Sequence, residues 1–129
     1  GRIGVLPTPV TVEEFTKTLK KIFNLDGLRL VANDNKAMVK NVAVVGGDGG
    51  KFYPEMLKAG ADVFVTGDVY YHTGHDMLAD GINVVDVGHN VEKICIPKLA
   101  SLFNEWKANN DWKVEIIEST VNTNPYQFI

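Results

Sequence analysis

INVVDVGHNVE, at residues 82–92, joins an apolar segment to a turn that carries both a histidine and a glutamate. The pattern predicts a buried strand over residues 82–87 and the start of a helix at Gly88. His89 and Glu92 stand three residues apart and would share one face of the first helical turn. They would also lie at the carboxyl end of the strand, which is where ligands bind in α/β proteins.

The His89 and Glu92 pair admits two interpretations. An imidazole beside a carboxylate forms half of a site for a borderline divalent metal such as zinc. Alternatively, Glu92 lies close to the helix N-terminus for electrostatic reasons and His89 makes only local hydrogen bonds. The spacing of the two residues leaves both interpretations open.

Upstream of this segment, predicted strands and helices alternate. Continuous apolar runs predict strands at residues 42–45 and 61–65, of the kind that is buried on both faces of a sheet. Each run ends in a glycine-containing turn, at residues 46–50 and 66–68, with a helix predicted after it. This alternation predicts parallel strands joined by right-handed crossovers, so that the three turns open on one edge of the sheet. We therefore expect an α/β fold with a mostly parallel sheet and helices on both faces, forming one domain over residues 1–129.

Local signals predict the flanking segments. A capping box at Thr11 and Glu14 predicts an amphipathic helix, preceded by an extended lead-in and followed by a strand at residues 28–32. Pro97 is expected to kink or interrupt the last long helix. Alternating apolar residues over 112–118 predict a final strand at an edge of the sheet.

The composition argues against several classes of protein. The 129 residues are 45% hydrophobic and 22% charged, as in an ordinary globular domain. A net charge of -3 without a basic cluster argues against nucleic acid or an anionic membrane as the main partner. No apolar run reaches the ~18 residues needed to span a bilayer, and no signal-peptide pattern opens the chain. Cys95 is the single cysteine and cannot form an internal disulfide, so a cytoplasmic location is the default expectation. Its side chain is expected to be a small buried hydrophobic group.

Asp68 and His72 form a second constellation, four residues apart and on the same predicted edge as His89. If a helix has begun by Asp68, the two side chains share a face. The carboxylate would then fix the tautomer of the imidazole and raise its basicity, as in a general-base pair. The alternative is that Asp68 caps the helix and His72 is solvated.

The glycine-rich turn at residues 46–50 could present backbone N–H groups to a phosphate. Its spacing matches neither a P-loop nor a dinucleotide-binding fingerprint, and Asp48 would repel an anion. Close approach of the backbone to a ligand or to a neighbouring loop is an equally good interpretation.

Five motifs occur in a characteristic order along the chain. They are VVGGDGG at residues 44–50, GADVFVTGD at 60–68, the Tyr71-His72 pair, DVGHNVEK at 86–93 and NTNPYQF at 122–128. Together they resemble the dinuclear-metal-centre family of GTP cyclohydrolase 1 type 2 homologues, also called Ngg-interacting-factor-three-like proteins. The resemblance covers nearly the whole chain and implies that it is the C-terminal domain of a larger protein.

The resemblance also implies a metal site that this chain holds only in part. Family members bind two metal ions through five protein ligands, and the two from the family's Gly-His motif match His89 and Glu92. The other three belong to an N-terminal half that has no counterpart here. Zinc, manganese, iron or cobalt would suit such ligands. Asp68 and His72 match a Gly-Asp…His segment that lines the cleft, and relatives that assemble as rings imply a homo-oligomer.

Two functions follow as expectations. The first is part of a metal-dependent hydrolase, in which two metals roughly 3.5–4 Å apart activate water and Asp68 and His72 act as catalytic groups. A small molecule or nucleotide would be the ligand, and only the family name suggests GTP. The second is a non-catalytic binding or regulatory module that metals organise. A third, plainer interpretation is an α/β domain in which His89 and Glu92 have no metal role.

Overall fold

The computed structural model describes residues 1–129, which form five strands and four α-helices. The strands are β1 (Arg2–Thr11), β2 (Arg29–Val31), β3 (Met38–Asp48), β4 (Val63–Gly67) and β5 (Asn83–Asp86). The helices are α1 (Val12–Ile22), α2 (Tyr53–Lys58), α3 (Tyr71–Ala79) and α4 (Cys95–Asn109). Two 3₁₀ helices, Gly50–Phe52 and His89–Ile94, follow β3 and β5.

All five strands belong to one sheet, in the order β1-β3-β4-β5-β2. The three central strands run parallel, with Val42 opposite Val63 and Val63 opposite Asn83. Both edge strands, β1 and β2, are antiparallel to their neighbours. The expected mostly parallel sheet is therefore confirmed for the strands that carry the candidate site.

Successive residues of the central strands contribute to two separate cores, one on each face of the sheet. Val63, Val65 and Val85 pack with Phe15 and Leu19 of α1. Their sequence neighbours pack on the opposite face with α3, because side chains alternate along a strand. This second core includes Phe64, Val84 and Met77. The prediction of a doubly buried strand is confirmed for Val63–Val65. It is wrong for the run at residues 42–45, where only Ala43 is buried and Val44 is 40% exposed. Helices pack on both faces of the sheet, as predicted.

The capping box predicted for α1 is present. The Glu14 N–H donates to Thr11 Oγ1 at 3.2 Å, and the Thr11 N–H donates to Glu14 Oε2 at 3.1 Å. These bonds satisfy two of the donors that a helix start leaves free. They begin the helix at Val12, whose side chain is fully buried.

At the N-terminus, the expected lead-in is a ten-residue strand, β1. It pairs with β3 at Arg2–Val5 and again at Val10–Thr11, and the register shifts in between. Pro7 and Pro9 fall in the unpaired interval, since proline cannot donate to a ladder and is tolerated on an edge strand.

The predicted strand over residues 112–118 is wrong, because residues 112–129 form no regular element. A strand gains stability when one of its faces packs against neighbours. Here Trp112 and Val114 remain 46% and 50% exposed, and Ile117 is more exposed still. The alternating pattern therefore has no core surface to bury it.

The segment after β5 is interrupted earlier than predicted. The 3₁₀ helix His89–Ile94 gives way to α4 at Cys95, so Pro97 lies in the first turn of α4. A missing N–H costs nothing in a first turn, where it has no partner within the helix.

The expectation that Cys95 is buried is wrong, since its side chain is exposed. No helix in the structure combines the length and the apolarity that crossing a bilayer requires.

Candidate metal centre

The three turns that follow the parallel strands meet at one edge of the sheet, as predicted. Gly67, at the end of β4, lies against the backbones of the other two turns. A Cβ atom on Gly67 would lie 2.7 Å from the carbonyl carbon of Gly88 and 3.0 Å from the carbonyl oxygen of Gly47. Only a residue without a side chain lets the three backbones come this close.

His89 and Glu92 lie one above the other at this edge. His89 is the first residue of the 3₁₀ helix, and its Nε2 lies 3.3 Å from Glu92 Oε2. In a 3₁₀ helix, residues three apart are eclipsed because there are three residues per turn. The predicted shared face is therefore confirmed, on a 3₁₀ helix in place of the predicted α-helix.

Asp68 pairs with His89 and not with His72. Its Oδ2 lies 2.7 Å from His89 Nδ1, and an ionised carboxylate can only accept, so Nδ1 donates. Asp68 has φ +54°, a left-handed conformation that aspartate tolerates better than most residues. Because α3 begins only at Tyr71, Asp68 lies outside the helix, and the predicted helical face shared with His72 does not exist.

His72, at the start of α3, makes no hydrogen bond with Asp68 or His89. It is exposed, and its ring packs edge-on against Tyr71, with 5.4 Å between the ring centroids. The alternative role for Asp68 as a helix cap is also wrong, since Tyr70 is the N-cap of α3 and no side chain caps it. The solvated interpretation of His72 matches its exposure.

The electrostatics of the site favour a cation. The pKa of His89 is raised above its ordinary value, chiefly by the hydrogen bond with Asp68. The negative charge of Glu92 contributes next, the charges of Asp68 and Asp48 add less, and partial desolvation opposes the rise. The His89 side chain is 52% exposed, so a metal ion from solvent could reach Nε2 and would compete there with a proton.

The glycine-rich turn makes room for the His89 and Glu92 side chains. Gly47 has φ +64°, and a Cβ atom there would lie 2.6 Å from Glu92 Oε1 and 3.3 Å from His89 Nε2. The expected close approach to a neighbouring loop is thus observed. The Gly49 N–H donates to Thr66 Oγ1 at 3.0 Å, which leaves it unavailable to a phosphate.

His89 and Glu92 fit a divalent metal as part of a ligand set. Imidazole nitrogen and carboxylate oxygen are ligands that zinc and its neighbours accept. Asp68 is engaged by the opposite ring nitrogen, and no group of three or more His, Cys, Asp or Glu side chains in the structure could hold a metal ion. A catalytic zinc site uses three protein ligands, so the pair needs at least one more.

Asp86 is a residue of this edge that the sequence reasoning missed. It ends β5, is only 2% exposed, and forms an ion pair with Arg29 of β2. The available signal was a carboxylate within the apolar run of residues 82–87, since a buried charge is found only where it is paired.

Comparison with known proteins gives consistent results for the whole chain. The model of the Duf34/NIF3 (NGG1p interacting factor 3) family matches residues 1–125. A Streptococcus pneumoniae protein named GTP cyclohydrolase 1 type 2 homolog is 42% identical over 132 residues, covering 100% of this chain and 49% of that protein. A Listeria innocua protein of the same name is 46% identical over 128 residues, covering 99% of this chain and 34% of that protein.

Solved structures agree with these sequence matches. A Bacillus cereus protein related to NIF3 superposes with a TM-score of 0.94 at 38% identity, covering 98% of this chain and 35% of that one. The Staphylococcus aureus protein SA1388 superposes with a TM-score of 0.93 at 30% identity, covering 98% of this chain and 36% of that one. The chain thus spans between about a third and about half the length of these curated relatives.

Proposed function

This chain belongs to the Duf34/NIF3 family, and from that premise we propose that it contributes two ligands, His89 and Glu92, to the divalent-metal centre of a hydrolase. Zinc, manganese, iron and cobalt are the candidate metals, with two ions in the complete centre. The remaining ligands would come from the part of the family's longer proteins that this chain does not span.

One observation carries the proposal, namely the hydrogen bond between Asp68 Oδ2 and His89 Nδ1 at 2.7 Å. Histidine ligands commonly donate one ring N–H to a carboxylate, which orients the ring and makes the other nitrogen a stronger ligand. In this chain the other nitrogen is Nε2, which faces Glu92 at 3.3 Å. The plainer alternative is a protonated His89 that donates to both carboxylates, and metal titration distinguishes it from metal ligation.

In the proposed reaction a bound metal would supply Lewis-acid polarisation of the substrate. The residues of this chain would hold and orient the ligand set. Asp68 would act through His89, because it accepts the Nδ1 proton and fixes which tautomer presents Nε2. His72 remains the proposed proton-transfer group, at the start of α3 on the same edge of the sheet.

The substrate class follows from the relatives only as a proposal. Two of them carry the name GTP cyclohydrolase 1 type 2 homolog, which makes GTP the first nucleotide to test. If GTP is the substrate, a full-length family member that contains this domain should turn over GTP. That turnover should depend on added Mn²⁺ or Zn²⁺.

The second candidate function is a non-catalytic module in which metals organise a binding or regulatory surface. The position of His72 favours it, because that imidazole packs on Tyr71 and does not reach the Asp68–His89 contact. Metal-dependent binding of a partner without turnover of phosphate or nucleotide substrates would support this function over hydrolysis.

Assembly and location complete the proposal. We propose a homo-oligomer, which the exposed apolar side of α4 supports: Leu99, Phe103 and Trp106 are all partly exposed there. Light scattering of the purified protein would give the number of chains.

A cytoplasmic location rests on the single cysteine, which cannot form an internal disulfide.

Metal titration calorimetry tests the proposed centre directly. Zn²⁺ and Mn²⁺ are titrated into this chain, into His89→Ala and into His75→Ala, an exposed histidine on α3 outside the site. We expect weak binding to the chain, loss of that binding in His89→Ala, and no change in His75→Ala. A full-length protein containing this domain should hold about two metals per subunit. Equal binding by all three forms of the chain would contradict the proposal.

A further inference from the structure

Asp86 holds together the two loops that carry Asp68 and His89. Its Oδ2 accepts the Val69 N–H at 3.0 Å, and its Oδ1 accepts the Gly88 N–H at 2.9 Å. Val69 follows Asp68 in the chain, and Gly88 precedes His89. One buried carboxylate therefore fixes the backbone next to both partners of the hydrogen bond between Asp68 and His89.

The position of Asp86 in the sheet explains why it can do this. It is the last residue of β5, opposite Thr66 of the parallel strand β4 and opposite Arg29 of the antiparallel strand β2. Arg29 compensates its charge with an ion pair to Oδ2. A carboxylate has two oxygens that each accept more than one hydrogen bond, so it can serve all three donors at once.

We propose that Asp86 is a positioning residue for the metal ligand His89, acting through the Val69 and Gly88 backbone amides and the Asp68 carboxylate. The proposal rests on the proposed metal centre for its functional meaning. The chain of contacts itself needs no metal. If Asp86 no longer holds the two loops, Asp68 and His89 separate, and Nε2 is no longer aimed at the place beside Glu92.

Asp86→Asn is the variant that tests this, because it keeps the size of the side chain and removes one accepting oxygen. Either the Val69 or the Gly88 amide then loses its partner. Arg29→Met is the matched control, because it removes the same ion pair and leaves both amide bonds in place. Circular dichroism first establishes that each variant is folded.

The metal-free measurement is long-range ¹H–¹⁵N NMR of the His89 ring at a pH where the ring is neutral. We expect the proton on Nδ1 in the wild type and in Arg29→Met, and a shift of population toward the proton on Nε2 in Asp86→Asn. Zn²⁺ affinity should fall about 10–100-fold in Asp86→Asn, the usual effect of losing a group that orients a ligand. Unchanged tautomers in Asp86→Asn, or the same shift in Arg29→Met, would overturn the proposal.

Two further outcomes remain informative. If the wild type binds no zinc and Asp86→Asn still shifts the tautomer, the positioning role stands and the proposed metal centre fails. If Asp86→Asn does not fold, hydrogen exchange of the wild type decides. Slow exchange at the Val69 and Gly88 amides would support the proposal, and fast exchange at both would overturn it.

Discussion

Asp68 Oδ2 lies 2.7 Å from His89 Nδ1, although 21 residues separate the two positions in the chain. Each residue follows a different parallel strand, β4 or β5, and the glycines of the turns let the strand ends converge. The contact gives His89 a defined tautomer and leaves Nε2 free toward Glu92.

The first prediction concerns the protonation of His89. In metal-free protein its pKa should lie above the ordinary value of 6.5, because Asp68 accepts from Nδ1 and Glu92 lies beside Nε2. Asp68→Asn should lower the pKa toward that value, as measured by NMR titration of the ring. Asp76→Asn, which changes an aspartate of α3 that does not contact His89, is the control and should leave the titration unchanged.

The raised pKa of His89 also sets the sign of its effect on stability. The folded state binds the proton more tightly than the unfolded state, so the stabilisation is fully present below about pH 6.5. It is lost as the pH rises through the folded-state pKa. Urea unfolding at a series of pH values should show this loss in the wild type and a smaller one in Asp68→Asn; identical curves would count against the contact.

The second prediction concerns Gly47, whose φ of +64° and missing side chain both matter. Gly47→Ala should destabilise the fold by about 1–2 kcal/mol, the cost of a left-handed residue with a Cβ atom. It should also displace the Glu92 carboxylate, because the new atom would lie 2.6 Å from Oε1. Metal titration should therefore show weaker binding.

Gly60→Ala separates these two effects of the Gly47 substitution. Gly60 has φ +77°, and a Cβ atom there would meet nothing within 4 Å. The Gly60→Ala variant should lose about as much stability in urea unfolding as Gly47→Ala does, and it should keep the metal affinity of the wild type. If Gly60→Ala weakens metal binding as much as Gly47→Ala does, the contact with Glu92 is not the cause.

The third prediction concerns Gly67, where an added Cβ atom would clash with backbone atoms and not with a side chain. A Cβ atom would lie 2.7 Å from the Gly88 carbonyl carbon, and neither chain can yield by turning a side chain. Gly67→Ala should cost about 1–3 kcal/mol, as overpacking typically does. It should also separate the loops, so that the His89 NMR signals move toward those of Asp68→Asn. Gly46→Ala is the control, because a Cβ atom there meets nothing within 4 Å.

The sequence predicted the central strands and the His89–Glu92 pair for physical reasons that survive in the structure. An apolar run such as residues 63–65 can be buried only between two layers, and this makes it a parallel inner strand. A three-residue spacing places His89 and Glu92 on one face in an α-helix and in a 3₁₀ helix alike. That prediction was therefore insensitive to the kind of helix that forms.

The partner of Asp68 could not be predicted, because it depends on a backbone angle and on contacts distant in sequence. The prediction paired Asp68 with His72 on the assumption of a helix, whereas Asp68 has φ +54° and contacts His89, which follows β5. The strand β1 was missed because Pro7 and Pro9 are unfavourable in strands, and only an edge position accommodates them. The 112–118 pattern misled because alternation does not show whether a surface exists to bury it.

The last prediction concerns the pH dependence of metal binding. A metal binds neutral imidazole at Nε2, so the apparent Zn²⁺ affinity should rise with pH until His89 has lost its proton. Because the pKa of His89 is raised by Asp68, this rise should end at a higher pH in the wild type than in Asp68→Asn. The variant loses the His89 proton at a lower pH, which favours its metal binding there. At higher pH this advantage should disappear, and the wild type should bind Zn²⁺ more tightly.

Above both pKa values the two proteins differ in the orientation of the ring and in the negative charge that Asp68 places beside it. There the wild type should bind Zn²⁺ about 10–100-fold more tightly, since Asp68→Asn weakens the group that aims Nε2. Calorimetric titrations over a pH series in both proteins, with Asp76→Asn as the unaffected control, measure the end of the rise and the final affinity separately. A rise that ends at the same pH in both would contradict the effect of Asp68 on the pKa of His89. Equal affinities at high pH would instead contradict its role in orienting the ring.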